Sequence, residues 1–127
     1  MAGGERSPGD VVAEWHRRAW GDGDLAAIDE LIAEPFVRHG ISGTSVRSRT
    51  DLLHDLHRYR KGLGPTSLEV HDRAVDDDKV WTRATMCGVN LRTGEPRRIQ
   101  FLQVHRVADG RIVEVWTLHA SDVDWDG

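Results

Sequence analysis

The sequence predicts an α+β fold, with helices from the first half of the chain packed on a mostly antiparallel sheet from the second. Two observations carry this reading. Up to Leu63, apolar residues recur at helical spacing in segments closed by glycine or by an approaching proline, whereas from Ser67 onward the pattern is extended and broken by short turns. Helices followed by a meander of long strands is an α+β arrangement. At 127 residues the chain is near the commonest size of one domain. No linker, repeat or low-complexity tract divides it, so residues 1–127 are expected to form a single domain.

The elements follow in order. Ser7 is a suitable cap, Pro8 suits the first helical position, and Asp10 meets the positive end of the helix dipole. Val12, Trp15 and Ala19 then define an inward stripe before Gly21 and Gly23 end the segment. A second helix starts at Asp24, carries Leu25, Ile28, Leu31 and Ile32 on one side, and stops ahead of Pro35, whose ring disfavours helix in the residue before it. Phe36 to His39 reads as a brief strand followed by a loop through Gly40 and Gly43. Ser48 and Asp51 have the spacing of a capping box for a third helix with Leu52, Leu56, Tyr59 and Leu63 on one face. Strands around Leu68 and Val70, from Val80 to Val89, and a long pair over Arg97–Asp122 complete the chain.

Composition narrows the function. Seventeen Lys and Arg against twenty-one Asp and Glu leave a net charge of −4, which argues against a nucleic-acid binder, since phosphate contacts need clustered positive charge. The basic run from Arg47 to Lys61 reads as the solvated face of a helix. A single cysteine, Cys87, excludes an internal disulfide framework. No histidine cluster has metal-ligand spacing. The N-terminal segment lacks the apolar core of a signal peptide and no run reaches membrane-spanning length, so a cytoplasmic protein without a membrane partner is expected.

The functional lead is Arg97–Asp122. Gln103, His105, Glu114 and His119 interrupt otherwise apolar strands that turn at Ala108-Asp109-Gly110. Burying a polar group without a partner costs about 1–3 kcal/mol, so several on one sheet suggest a polar-lined pocket.

The segment Val104 to Trp116, with Arg106, Asp109-Gly110-Arg111-Ile112, Glu114 and Trp116, resembles a signature of SnoaL-like proteins, a group that includes polyketide cyclases, within the nuclear transport factor 2-like superfamily. Gly21-Asp22-Gly23-Asp24-Leu25 after the first helix and Val80 to Gly88 are similar to other parts of that pattern. The resemblance covers about residues 9–122. It implies a cone-shaped α+β barrel, three N-terminal helices on a curved sheet, and a homodimer formed through the outer face of the sheet. It also implies a catalytic aspartate four residues after the strand tryptophan, or, in limonene epoxide hydrolases, two after it. Here those positions hold Ala120 and Leu118. The nearest replacements are His119 and Asp122.

Side chains alternate across a strand, and the resemblance places Glu114, Trp116, Leu118 and Ala120 on the cavity side, with His119 inward only if a bulge or strand end turns it. On the preceding strand Phe101, Gln103 and His105 share a face, with the cavity or the outer surface as the two readings. His39, Gln103, His119 and Asp122 are the candidate catalytic residues, moving a proton or polarising an oxygen; for His39 a structural hydrogen bond is the competing reading. Trp15, Tyr59, Met86, Phe101, His105, Glu114, Trp116 and Leu118 are the candidate substrate contacts. Trp125 is placed over the pocket mouth or on a neighbouring subunit. The expectation is a cyclase or isomerase acting without cofactor on a hydrophobic natural-product intermediate. A non-catalytic binding or dimerisation domain and an epoxide-opening enzyme are the alternatives.

Overall fold

A computed structural model describes residues 6–121 and 123. Helix α1 (Pro8–Trp15) is capped by Ser7, whose Oγ accepts the Asp10 N–H at 3.1 Å. It does not end as an α-helix. His16–Gly21 form a π-helical turn, closed by the Asp22 N–H bonding to the Arg17 carbonyl at 2.8 Å. Bonds from each residue to the fifth one on widen the turn and bring positions five apart to the same side. Helix α2 is short (Ala27–Leu31). Helix α3 (Arg49–Leu63) has the expected capping box, with Ser48 and Asp51 exchanging two bonds of 3.0 Å.

Six strands make one sheet: β1 (Ile32–Gly40), β2 (Gly43–Arg47), β3 (Ser67–Asp76), β4 (Lys79–Val89), β5 (Pro96–Ala108) and β6 (Arg111–Ser121). Their order is β2-β1-β6-β5-β4-β3. All neighbours are antiparallel except β1 and β6, which run parallel. Strands β2 and β3 are both edges, so the sheet is open and the expected barrel does not close. The segment expected as a loop after His39 instead pairs as β2, and α3 follows the first strand as expected. Asp109 and Gly110 both have positive φ, 53° and 76°, which matches the twist of the long β5–β6 hairpin.

The helices cover the concave face. Val11, Val12, Trp15 and Ala19 of the first helical segment pack with Ala27, Ile28 and Leu31 of α2, Ile32 and Phe36 of β1, Leu56 of α3, and Val80, Val107 and Ile112 of the sheet. A second cluster, Leu63, Met86, Ile99 and Phe101, closes the other end. Among the described residues no helix is long and apolar enough to cross a membrane.

Leu56, 2% exposed, joins α3 to the main core. Leu56→Ala is expected to lower unfolding free energy by about 2–5 kcal/mol, measured by urea titration; a loss below about 1 kcal/mol would show that α3 is only loosely docked.

Candidate active site

Between the sheet and helices α1 and α3 lies a cavity of about 600 Å³. Trp15, Trp20, Ile32, Phe36, Leu52, Leu56, Tyr59, Phe101, Ile112 and Val115 form its apolar wall. Trp15 and Trp20 both reach it because the π turn aligns residues five apart. The Trp20 and Tyr59 rings meet edge to face, with centroids 5.5 Å apart.

Which residues of β6 face inward is decided by a bulge. Pairing with β5 runs Val107↔Ile112 and then Arg106↔Glu114, leaving Val113 as an extra residue. Such an insertion shifts the alternation by one. Ile112 is inward before it, and Val115, Thr117 and His119 are inward after it. Four expected site residues are therefore on the outer face. His39, Glu114 and Trp116 form a cluster there: His39 stacks on Trp116 with ring centroids 5.0 Å apart, and its Nε2 lies 2.6 Å from Glu114 Oε2. Glu114 Oε1 also accepts from Arg106 Nε at 2.9 Å. The bonds from His39 and then Arg106 lower the Glu114 pKa, so it is an ionised structural group rather than an acid. Leu118 is also outside, 56% exposed. Ala120 shares its alternation and is exposed, so the position where the resemblance places an aspartate is not in this cavity. Met86 is buried in the second core cluster and does not line the cavity. Asp122 and Trp125 lie outside the described residues.

The floor carries the chemistry. Gln103, His105, Phe101, Trp15 and Tyr59 are in the cavity wall. His119 is exposed at the rim, its ring tilted against Phe101 at 5.6 Å. Strand register aligns Arg73, Thr82, Gln103 and Thr117 in one polar row across β3, β4, β5 and β6. From α1 the π turn lowers His16 onto that row. Arg73 Nη2 donates to His16 Nδ1 at 2.8 Å. Arginine only donates, so Nδ1 is the acceptor and the neutral imidazole carries its proton on Nε2. That nitrogen donates to Gln103 Oε1 at 3.4 Å, and Gln103 Nε2 donates to Thr117 Oγ1 at 3.2 Å. Thr117, which lines the cavity, accepts in this bond and so keeps its own hydroxyl proton to donate. Every bond runs the same way, away from the Arg73 cation, so each polarises the next.

Burial, reinforced by the Arg73 charge, lowers the pKa of His16 to about 4 against the opposing bond from Gln103. His105 is fully buried, its ring edge-on to His16 at 5.5 Å. Burial first, then His16 and Arg73, hold it well below the usual histidine range. Its Nδ1 has no partner, nor does Thr82 Oγ1. Among the described residues no group of three or more His, Cys, Asp or Glu is placed to hold a metal ion.

Sequence reasoning missed His16, Thr117, Arg73 and Arg38. His16 follows Val12 by four residues and sits beside Trp15, an inward position that its spacing alone could have flagged. Thr117 falls on the outer face in the sequence reading because a bulge is weighed there only for His119, beyond it, and not at Val113.

The sequence matches the SnoaL-like domain family over residues 12–115. Among solved structures, IdmH from Streptomyces antibioticus, a candidate polyketide cyclase, is 30% identical and superposes with a TM-score of 0.79 over 92% of this chain and 93% of its own. AclR from Streptomyces galilaeus, a candidate hydroxylase, is 21% identical with a TM-score of 0.78 over 89% and 88% of the two chains. An LEH-like epoxide hydrolase from M. tuberculosis is 18% identical with a TM-score of 0.71 over 87% and 80%. The last two share the fold. A comparison with curated proteins gave no match.

The buried histidines give a pH signature. Both are neutral when folded, yet charge near pH 6.5 once unfolded. From pH 6.5 down to about 4 the unfolded chain binds more protons, so stability falls as pH drops, by up to about 1.4 kcal/mol per pH unit for each histidine. Urea midpoints should decline from pH 7 to 5, and His16→Gln should flatten the decline. A wild-type midpoint independent of pH would contradict neutral burial.

Proposed function

Because the chain belongs to the SnoaL-like domain family and holds an aromatic cavity with one polarised floor, we propose that it is a cofactor-independent cyclase or isomerase of a hydrophobic, polyketide-type intermediate. One observation carries this reading: the bond chain from Arg73 through His16 and Gln103 ends on the hydroxyl of Thr117, which lines the cavity. A substrate carbonyl oxygen on the floor would accept from Thr117 and from the second Nε2–H of Gln103. Such donors matter most when negative charge grows on that oxygen, and in a dry site they need no reorganisation. The enol carbon of the same molecule then bonds to the carbonyl carbon, the C=O π bond breaks onto the held oxygen, and the enol O–H proton passes to that oxygen as the enol becomes a ketone. No atom is gained or lost.

The floor favours this over proton abstraction. Its two imidazoles are held neutral and weakly basic, and a base of that strength is a poor match for a carbon acid at neutral pH. Rather than deprotonating the substrate, the site would fold it against Trp15, Trp20, Tyr59 and Phe101 and polarise it, removing unproductive conformers before the bond forms.

A homodimer through the outer face belongs to the same proposal. Trp81, Leu102 and Leu118 are 52%, 53% and 56% exposed, and with Val104 and Trp116 they line a shallow apolar depression. Exposed apolar side chains this large and adjacent favour a partner, and a second copy presents the same patch.

Two outcomes are expected. Incubated with linear polyene β-keto compounds and followed by chromatography and mass spectrometry, the protein should give a product of unchanged mass. Thr117→Val should then lower kcat about 10²-fold with little change in KM, while Arg73→Met, acting through His16, should cost less. Full activity in Thr117→Val would end this reading. An epoxide-bearing analogue converted to a product heavier by one water would indicate epoxide opening, and ligand returned unchanged would indicate a binding domain. Separately, Leu118→Glu should convert a dimer to a monomer in light scattering; a wild-type monomer would dismiss the dimer.

A further inference from the structure

The cavity mouth differs from its floor, and from it we propose that the substrate is a carboxylic acid whose carboxylate is held by Arg38, its apolar body directed inward. This rests on the hydrophobic-substrate reading above and specifies one end of that substrate. The charged groups of Arg and Asp lining the cavity are Arg38, Arg47, Arg58 and Asp55: three cations and one anion, in a chain whose net charge is −4. Asp55 is already engaged. Its Oδ2 accepts from Arg47 Nη2 at 2.6 Å and its Oδ1 from Arg58 Nη2 at 2.9 Å.

Two donors are left over. Arg47 Nε is buried without an acceptor. Arg38 has no hydrogen bond or ion pair among the described residues, and it lines the cavity. Gly40 makes room for it: a Cβ there would stand 3.1 Å from Arg38 Nη1, closer than a normal contact. The groups converge around Tyr59, whose phenol feels the charges of Arg38, Asp55 and Arg58. An arginine on a convex surface has water as its partner; one facing a concave aromatic wall is placed for a ligand's anion, and its planar fork fits a carboxylate with two parallel bonds. The acceptor already gripped by two guanidinium groups at this mouth, Asp55, is itself a carboxylate.

The test uses cis-parinaric acid and its methyl ester, whose polyene emission is excited by transfer from protein tryptophan. Wild-type protein should bind the acid about tenfold tighter than the ester, as expected for a charge-assisted bond, and added salt should narrow the gap. Arg38→Met should bring the two within about twofold while leaving ester affinity unchanged, which also reports that the cavity is intact. Arg38→Lys should keep part of the preference, and Arg111→Met, an exposed charge at the start of β6, all of it. Equal binding of acid and ester by wild-type protein overturns the carboxylate site alone, and so does an undiminished preference in Arg38→Met or, should that variant not fold, in Arg38→Lys. Failure of both ligands to bind overturns the hydrophobic-cavity reading along with it.

Discussion

One extra residue in the last strand organises this molecule. Val113 bulges out of the β5–β6 ladder, and everything beyond it on β6 presents the opposite side chains to the helices. With a regular ladder Glu114, Trp116 and Leu118 would point under α1 and α3, forcing a carboxylate and a full tryptophan into space now held by Val115 and Thr117. The bulge instead sends the large residues to the outer face, where Trp116 stacks on His39 and Glu114 bridges His39 and Arg106. It leaves the smaller Val115 and Thr117 to form a floor with room above it.

That floor is not built for stability. Arg73, His16, Gln103 and Thr117 satisfy one another in sequence, but His105 Nδ1, Thr82 Oγ1 and Arg73 Nε are buried without partners. Each such atom costs about 1–3 kcal/mol, a sizeable share of the few kcal/mol by which a small domain is stable. Compensation comes from the apolar cluster that surrounds the polar row, from Val11 and Val12 through Leu56 to Val80 and Ile112. A stable frame holding a strained polar patch is the usual relation between fold and active site. It also explains why the neutral state of the two histidines persists: charging either would place a second cation beside Arg73 in a medium of low polarisability.

The elements were legible in the sequence because local chemistry decided them. Ser7-Pro8, the Ser48–Asp51 box and Asp109-Gly110 each specify a boundary by hydrogen bonding or φ alone, and the switch from helical to alternating spacing marks where the sheet takes over. The site was legible only in part. Phe101, Gln103 and His105 were grouped on one face by alternation, and Trp15 by its helical stripe. The phase of β6 was not, because a bulge at Val113 requires no glycine and leaves no mark in composition. His39 was placed by resemblance, but its side chain alternates with those of Phe36 and Arg38 and so falls outside. Arg38 and Arg73 read as ordinary surface charges, since nothing local distinguishes an arginine facing water from one facing a cavity. That the curved sheet stays open was not legible for a similar reason: closure depends on whether β2 and β3 meet, a distant pairing that neither strand encodes alone.

The π turn at His16–Gly21 has a consequence for how such a cavity arises and is lost. A π turn is an α-helix with one residue too many, tolerated because the surroundings hold it. In an ordinary helix of the same length Trp20 would stand about 140° round the axis from Trp15, whereas removing one codon between them would leave the two four apart and still on one face. The aromatic wall thus depends on the pairing of helix type with length: the smallest in-frame deletion would trade an unusual turn for an ordinary one with both tryptophans still on the cavity, while straightening the helix without a deletion would carry Trp20 off it.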